Sequence, residues 1–573
     1  MKTTLSYKVR TMAKGFLPFY LFTLLPLISS CSDMLETSSE LVEFEKDNTL
    51  NHTTDSVYSV LGIINTIQTI ADRTVLLGEV RGDLVITTDA ASADLKRLSA
   101  FDFSQDNKYN RVSDYYAVIN NCNYFLHHVD TMLERRGRKI FEREYAVVKT
   151  YRAWAYLQLA MAYGRVPLVT EPMMTENLAR EAMNQPYKDI QEICDYFISD
   201  LTPYAMTLYP DFGVIDVYDA KQFFIPVRVL LGDLCLWAGR YLESARWYNS
   251  YLNDEHDPVL MRIGSRSVWS DASKFESPRL SYNITDEDEY LGFIPMETQI
   301  FDGVVSDLEN IFESSLNNKY YYQLTPSEAM RRTSRDQVYC MEYTTDSRTD
   351  TIYVPQKGLL YDMYAGDLRF SSNITFGYTV GQDKYSEYST SIQYDNKIWS
   401  THIPFYRINM VYLRYAEALN RAGFPQSAMC ILKYGLCADN LRYIDDVEQE
   451  AAGSLITFDL DIFTRQTTIG VHSLGSGDSQ ANKYYVLPQP DKELPTRADT
   501  VNYQIPRVED MIITEMALEG AFEGNRFNDL MRVAIRRNDP AYLANIVSRR
   551  NEKTDETLRQ LLMNTNNWYL PLK

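Results

Sequence analysis

Two stretches of this chain place small residues at the same spacing, and that spacing restricts the fold more than any other feature. From Gly232, small residues recur at Gly239 and Ser244, with a large one at Tyr248. From Ala416, they recur at Gly423 and Ala428, with Leu432 in the last position. Each set reads as helix, turn, helix. Small side chains let the two helices approach, and the large one fills the gap between them.

Other segments carry the same helical signal. Val57, Val60, Leu61 and Ile64 follow a 3.6-residue period, as do Tyr116, Ile119, Cys122 and Leu126. A further helix is predicted from about Phe141 through Tyr151, Ala155 and Leu159, stopping at Tyr163-Gly164 ahead of Pro167. The paired templates resemble tetratricopeptide helix–turn–helix units. Residues 255–402 differ: polar and aromatic residues alternate with turn formers, as at 351–355 and 376–380. The expected fold is therefore all-α, a tetratricopeptide-like helix–turn–helix superhelix with a long loop-rich insertion carrying a few short strands. Its expected divisions are 1–30, 31–50, 51–254, 255–402 and 403–573, with 51–573 as one compact unit.

The first 30 residues hold Lys2, Lys8, Arg10 and Lys14 and no acid, then an apolar run from Phe16 to Ile28, then Ser29, Ser30 and Cys31. Basic start, short apolar run and small residues make a secretory signal. The placement of Cys31 resembles a bacterial lipoprotein signal, which implies acylation of that cysteine. Residues 31–50 read as a polar, acidic tether. The tether resembles the segment that sends Bacteroidetes lipoproteins to the outer face of the outer membrane. No other segment is expected to reach membrane-spanning length, so contact with the membrane is expected through the lipid alone.

Chemistry is sparse. Acids outnumber bases 77 to 57, giving a net charge of -20, which excludes a nucleic-acid partner for lack of a basic footprint. The chain lacks HExxH, P-loop, GxGxxG and GxSxG patterns, and its six histidines show no metal-ligand spacing. Asp286-Glu287-Asp288-Glu289 reads as a solvated acidic loop, not a calcium site. Cys122, Cys194, Cys235 and Cys430 sit in apolar helical patterns as buried thiols, and no CxxC pair suggests zinc. No catalytic residue, metal or cofactor is expected.

Several motifs in order span nearly the whole chain. They are Gly78-Glu79 with Asp83; Tyr115-Tyr116 through Asn121-Cys122-Asn123; Arg152-Ala153 with Tyr156; and Tyr163-Gly164-Arg165-Val166-Pro167-Leu168. The C-terminal half adds Ile403-Pro404-Phe405-Tyr406-Arg407, Tyr415-Ala416-Glu417-Ala418, Glu523-Gly524 with Arg526, Asp529-Leu530 and Arg532, and the closing Trp568-Tyr569-Leu570-Pro571-Leu572. Together they resemble the SusD/RagB family of outer-membrane lipoproteins, with Met516 standing where the family usually has arginine. Glu515, Glu519 and Glu523 share a predicted helix face and need facing cations, for which Arg526, Arg532 and Arg407 are candidates. Arg152 and Glu417, among apolar positions, read as partnered charges between helices.

The resemblance implies a cell-surface glycan-binding lipoprotein. It would capture oligosaccharides and deliver them to a SusC-like TonB-dependent outer-membrane transporter. The same architecture serving peptides is the alternative, and a surface hydrolase a weaker one. Sugar rings present C–H faces to aromatic planes and hydroxyls to charged or amide groups. Loops rich in both supply the candidates: Arg81, Asp83, Asp102 and Tyr109 after the Gly-Glu motif, and Trp269, Tyr320, Tyr321, Tyr322 and Trp399 in the insertion. Arg81, Trp269 and Tyr321 are favoured because a loop setting leaves them free to face solvent. Trp154, Trp237 and Trp247 sit in helical patterns and are set aside.

Overall fold

Thr53–Glu79 forms the first long helix, α1, and its apolar period turns Val60, Ile63, Ile64, Ile67 and Ile70 into the core. A computed structural model describes residues 53–253 except 216, 267–269, 278–280, 290–297, 303–312, 322–345, 348–354, 367, 369, 374–381, 384–392, 402–457, 470–477 and 484–572. The signal segment, Cys31, the tether and Asp286–Glu289 lie outside those residues. Leu50–Lys573 packs as one compact unit.

The scaffold is helical. After α1 come α2 (Val112–His128), α3 (Glu142–Tyr163), α4 (Ile190–Leu201), α5 (Val227–Trp237) and α6 (Tyr241–Leu252). The C-terminal half supplies α7 (Ile408–Arg421), α8 (Pro425–Met429), α9 (Arg497–Glu519), α10 (Arg526–Arg537), α11 (Pro540–Val547) and α12 (Glu556–Leu562). The predicted stop of α3 holds: its last residue is Tyr163, and Gly164 takes φ +75, where a Cβ is strained. One expectation is corrected. Ser59–Glu79 is long and apolar enough to span a membrane, but most of it is buried within the fold as a core helix.

Both small-residue templates are helix hairpins. A Cβ on Gly232 would run into the Tyr248 ring, and Ser244 Oγ donates to the Gly232 carbonyl at 2.8 Å. These two contacts hold α5 against α6. In the second pair, Ala416 on α7 and Ala428 on α8 are both fully buried, as is Leu432 just beyond α8. α7 also packs against α6 and α9, which makes it the central element of the C-terminal half.

The strands are short and antiparallel. Besides three two-residue ladders within the N-terminal half, they are β1 (Val85–Thr87), β2 (Ser267–Trp269), β3 (Pro278–Leu280), β4 (Phe293–Ile294), β5 (Leu324–Pro326), β6 (Tyr339–Thr345), β7 (Arg348–Val354), β8 (Ile374–Gly381), β9 (Lys384–Ile392) and β10 (Ile403–Pro404). β6 with β7 and β8 with β9 are hairpins within the insertion. Two ladders stitch the insertion to the scaffold: β5 pairs with β1, and β4 with β10.

Candidate functional site

Five of the nine predicted contact residues have described side chains, and three of those are buried. Arg81 is 1% exposed. The Gly-Glu motif is not a free loop: it ends α1 beneath α10, so the guanidinium points inward. Arg81 Nε donates to the Leu77 carbonyl and Nη1 to the Trp568 carbonyl, both at 2.7 Å, while its plane lies 4.4 Å from the Phe527 ring centroid. Burial brings its pKa down to about 10. Asp83 is likewise buried, in an ion pair with Arg526 at 2.6 Å. Tyr109 is buried beside Asn107, whose Oδ1 accepts its backbone N–H at 2.9 Å. The expectation that these three face solvent is corrected, because motif residues with strong hydrogen-bond demands satisfy them inside the fold.

Asp102 is exposed. Hydrogen bonds from the Ser104 side chain and backbone hold its carboxyl below the usual range. Tyr322 is half-buried, its carbonyl accepting from Thr88 Oγ1 at 2.9 Å. Trp269 is placed only by its backbone, paired with Pro278 across β2 and β3. Tyr320, Tyr321 and Trp399 lie outside the described residues.

The segment around Asp102 edges an open cleft of about 550 Å³. Its walls come from four places in the sequence. Phe101 and Phe103 form one wall, Gly164 and Arg165 beyond α3 a second, Asp189 and Ile190 at the start of α4 a third, and Asn566, Asn567 and Tyr569 near the chain end the fourth. Phe101 holds φ +54, which turns the chain and sets its own ring against Phe527 at 5.6 Å and Phe103 at 6.4 Å. The Tyr569 ring packs on Gly164, where a Cβ would crowd it. Asp189 caps α4, accepting the Glu192 N–H at 3.0 Å.

The chain end is pinned in this position. Leu570 N–H donates to the Ala162 carbonyl at 2.9 Å, Asn110 to the Pro571 carbonyl at 3.1 Å, and Arg81 to the Trp568 carbonyl. Arg81 therefore supports the cleft from beneath without entering it. The cleft offers aromatic faces, amides, a carboxylate and a guanidinium on a wet surface, the combination that binds polyols. Sequence reasoning missed Phe103, Arg165, Asn566, Asn567 and Tyr569 as lining residues. The signal was present in the closing Trp-Tyr-Leu-Pro run, but only its packing against the end of α3 turns it into a wall.

The charged motifs form internal clusters. Glu519 is held by Arg407 and Arg369, each at 2.9 Å; Arg407 also reaches Glu523 at 2.7 Å and Arg369 reaches Glu515 at 2.5 Å. Of the predicted cations, Arg407 serves the glutamate row; Arg526 and Arg532 pair with Asp83 and Glu417 instead. Glu523 lies beyond the end of α9, so the row is two residues on the helix and one on the turn. Arg152 meets Asp200 at 3.1 Å and Asn123 Oδ1 at 3.0 Å. Cys122, Cys194, Cys235, Cys340, Cys430 and Cys437 are free thiols and buried, and burial pushes Cys122 and Cys235 up to about 12. Among the described residues no His, Cys, Asp and Glu group has the geometry to hold a metal.

No family model matches the sequence, and no curated protein sequence matches it significantly. Solved structures do match. A SusD superfamily protein from Bacteroides vulgatus superposes with a TM-score of 0.59 at 13% identity, covering 91% of this chain and 96% of its own. A SusD superfamily protein from Bacteroides thetaiotaomicron gives 0.53 at 13% identity, with 84% and 89% covered. A SusD-like carbohydrate binding protein from Bacteroides vulgatus gives 0.50 at 16% identity, with 84% of each covered. The chain has the SusD-superfamily fold.

Proposed function

We propose that this SusD-fold chain is a cell-surface glycan-binding lipoprotein. It captures oligosaccharides in the cleft between the Phe101–Phe103 segment and Asn566–Tyr569, and delivers them to a TonB-dependent outer-membrane transporter. The observation that carries the reading is the cleft itself: half-buried rings of Phe103 and Tyr569 beside exposed Arg165 and Asn566. Rings supply stacking planes for sugar C–H faces, and the amide and guanidinium groups supply hydrogen bonds to hydroxyls. The carbohydrate-binding description of one structural neighbour agrees with that chemistry. The signal architecture supports anchoring through Cys31; the resemblance to SusD/RagB lipoproteins supports transfer to a barrel, since a tethered body cannot itself move a ligand through a bilayer.

A glycan array screened beside a peptide panel tests the reading. Binding to one or more glycans, weakened by Phe103→Ala, is the expected result. Binding confined to peptides would overturn it, and so would glycan binding that ignores the cleft variant.

A further inference from the structure

The region between α2 and α3 carries charge of the wrong sign for this chain. Glu134–Arg135 and Arg138–Lys139 form a two-residue ladder turned by Arg136 and Gly137, both at positive φ. Arg135, Arg136, Arg138 and Lys139 are all exposed. Arg135 stands directly across the ladder from Arg138, a like-charge pair that costs energy unless an anion faces it. Glu134 lies opposite Lys139, and Asp130, Glu142 and Glu144 sit at the base of the hairpin. Asp130 accepts the Met132 N–H at 2.9 Å, and burial raises the Glu144 carboxyl. Among the described residues none of the four hairpin cations has an ion-pair partner. A net charge of -20 opposes approach to an anionic surface, and a local cluster of cations offsets that opposition.

Two further observations fix what the spot faces. Apolar side chains stand out around it: Met132 is 74% exposed, and Arg143 in the first turn of α3 donates to the Tyr209 carbonyl, which brings in the loop of Met206 (69%) and Leu208 (60%). Second, α1 and α2 run antiparallel, with Arg73 on Asp114 at 2.6 Å and Thr66 on Asn121 at 2.8 Å. The first turn of α1 therefore lies toward the His128 end of α2, the end from which the chain runs on into the hairpin. The chain enters the first described helix, at Thr53, from this end.

We infer that this end of the body rests on an anionic, phosphate-bearing lipid surface. The four cations of the hairpin lie on the phosphates, and Met132, Met206 and Leu208 reach the headgroup level. The contact is additional to any acyl anchor and does not require one. An exposed basic hairpin with exposed methionines near it suits a fluid headgroup layer, which can gather phosphates around each cation.

The test uses the full chain carrying Cys31→Ala, with a solvatochromic label on Met132→Cys; the other six cysteines are buried. Vesicles are phosphatidylcholine alone or with roughly one-third phosphatidylglycerol. A blue shift of the label on the anionic vesicles only, lost on raising salt, is expected. Replacing Arg135, Arg136, Arg138 and Lys139 by Gln should weaken it at least about tenfold in lipid concentration. The same change at the exposed Lys96, Lys492, Arg507 and Lys553 should leave it in place. A chain that sediments with anionic vesicles without shifting the label, or one that does not bind them at low salt, overturns the inference and leaves the hairpin to a protein partner. Neither result touches glycan binding, which the array reads separately.

Discussion

Gly78, at the end of α1, lies backbone to backbone against Gly524, in the turn between α9 and α10: a Cβ on Gly78 would overlap the Gly524 carbonyl. Gly524 itself sits at φ +87 and has no room beside Thr74. The neighbouring Glu79 accepts the Gly524 N–H at 3.0 Å, and Asp83 pairs with Arg526. Two motifs from opposite ends of the sequence are thus one joint. Gly78→Ala should lower unfolding free energy by about 3 kcal/mol or more, since overlap with backbone cannot be relieved by a rotamer. Urea unfolding measures it; a loss under about 1 kcal/mol would mean the joint yields easily.

Glu79 is wholly buried, its Oε2 has no hydrogen-bond partner among the described residues, and burial raises its pKa from 4.5 to about 8. The folded protein therefore holds a proton between those values that the unfolded chain releases. Stability should fall as pH rises through this window, and the full cost is present above pH 8. Glu79→Gln keeps an uncharged group there and removes the dependence. Denaturation at pH 5 and pH 8.5 should show the variant gaining on the parent by more than about 1 kcal/mol, whereas a constant gap would show that Glu79 is ionised in the fold.

Arg369 is completely buried among Asp367, Glu515 and Glu519. Burial works against its charge, but the three carboxylates outweigh that and raise its pKa well above normal. Arg369→Met removes the cation the three share, leaving Glu519 to Arg407 and Glu515 to His472, and should cost about 3–5 kcal/mol. Arg180→Met, breaking the exposed Arg180–Glu176 pair, should change stability by less than about 0.5 kcal/mol. Similar thermal shifts for the two variants would contradict the assignment.

Phe103 and Arg81 should separate in a combined measurement. Phe103→Ala removes a stacking plane and is expected to weaken glycan binding about fivefold or more with stability little changed. Arg81→Met should lower both, because its guanidinium holds the Trp568 carbonyl under the cleft. If Arg81→Met altered affinity alone, the side chain would be touching ligand after all.

Cys31→Ala should abolish incorporation of labelled palmitate and convert salt-resistant membrane attachment into attachment that high salt removes. Label retained by the variant would place the acyl chain elsewhere.

The helical scaffold was legible because its determinants are local. Periods of 3.6 residues, the Tyr163-Gly164 stop and the spacing from Gly232 to Tyr248 act within a few turns, and each element formed where those signals lie. The need of Glu515 and Glu519 for facing cations could also be read from their spacing. Which cation answers could not: Arg407 was among the candidates, but Arg369 arrives from the insertion about 150 positions away. The cleft was least legible. Arg81 resembles a free loop arginine until the packing of α10 and the chain end gives its donors two buried carbonyls. Phe103, Arg165 and Asn566 become neighbours only when Trp568–Leu572 docks beneath the end of α3. Sequence by itself determined which segments are helices and which charges must be paired, since propensity, periodicity and desolvation act on each residue where it stands. Tertiary structure alone decided which groups meet water, because exposure is a property of what packs above a side chain, and here that cover comes from the far end of the chain.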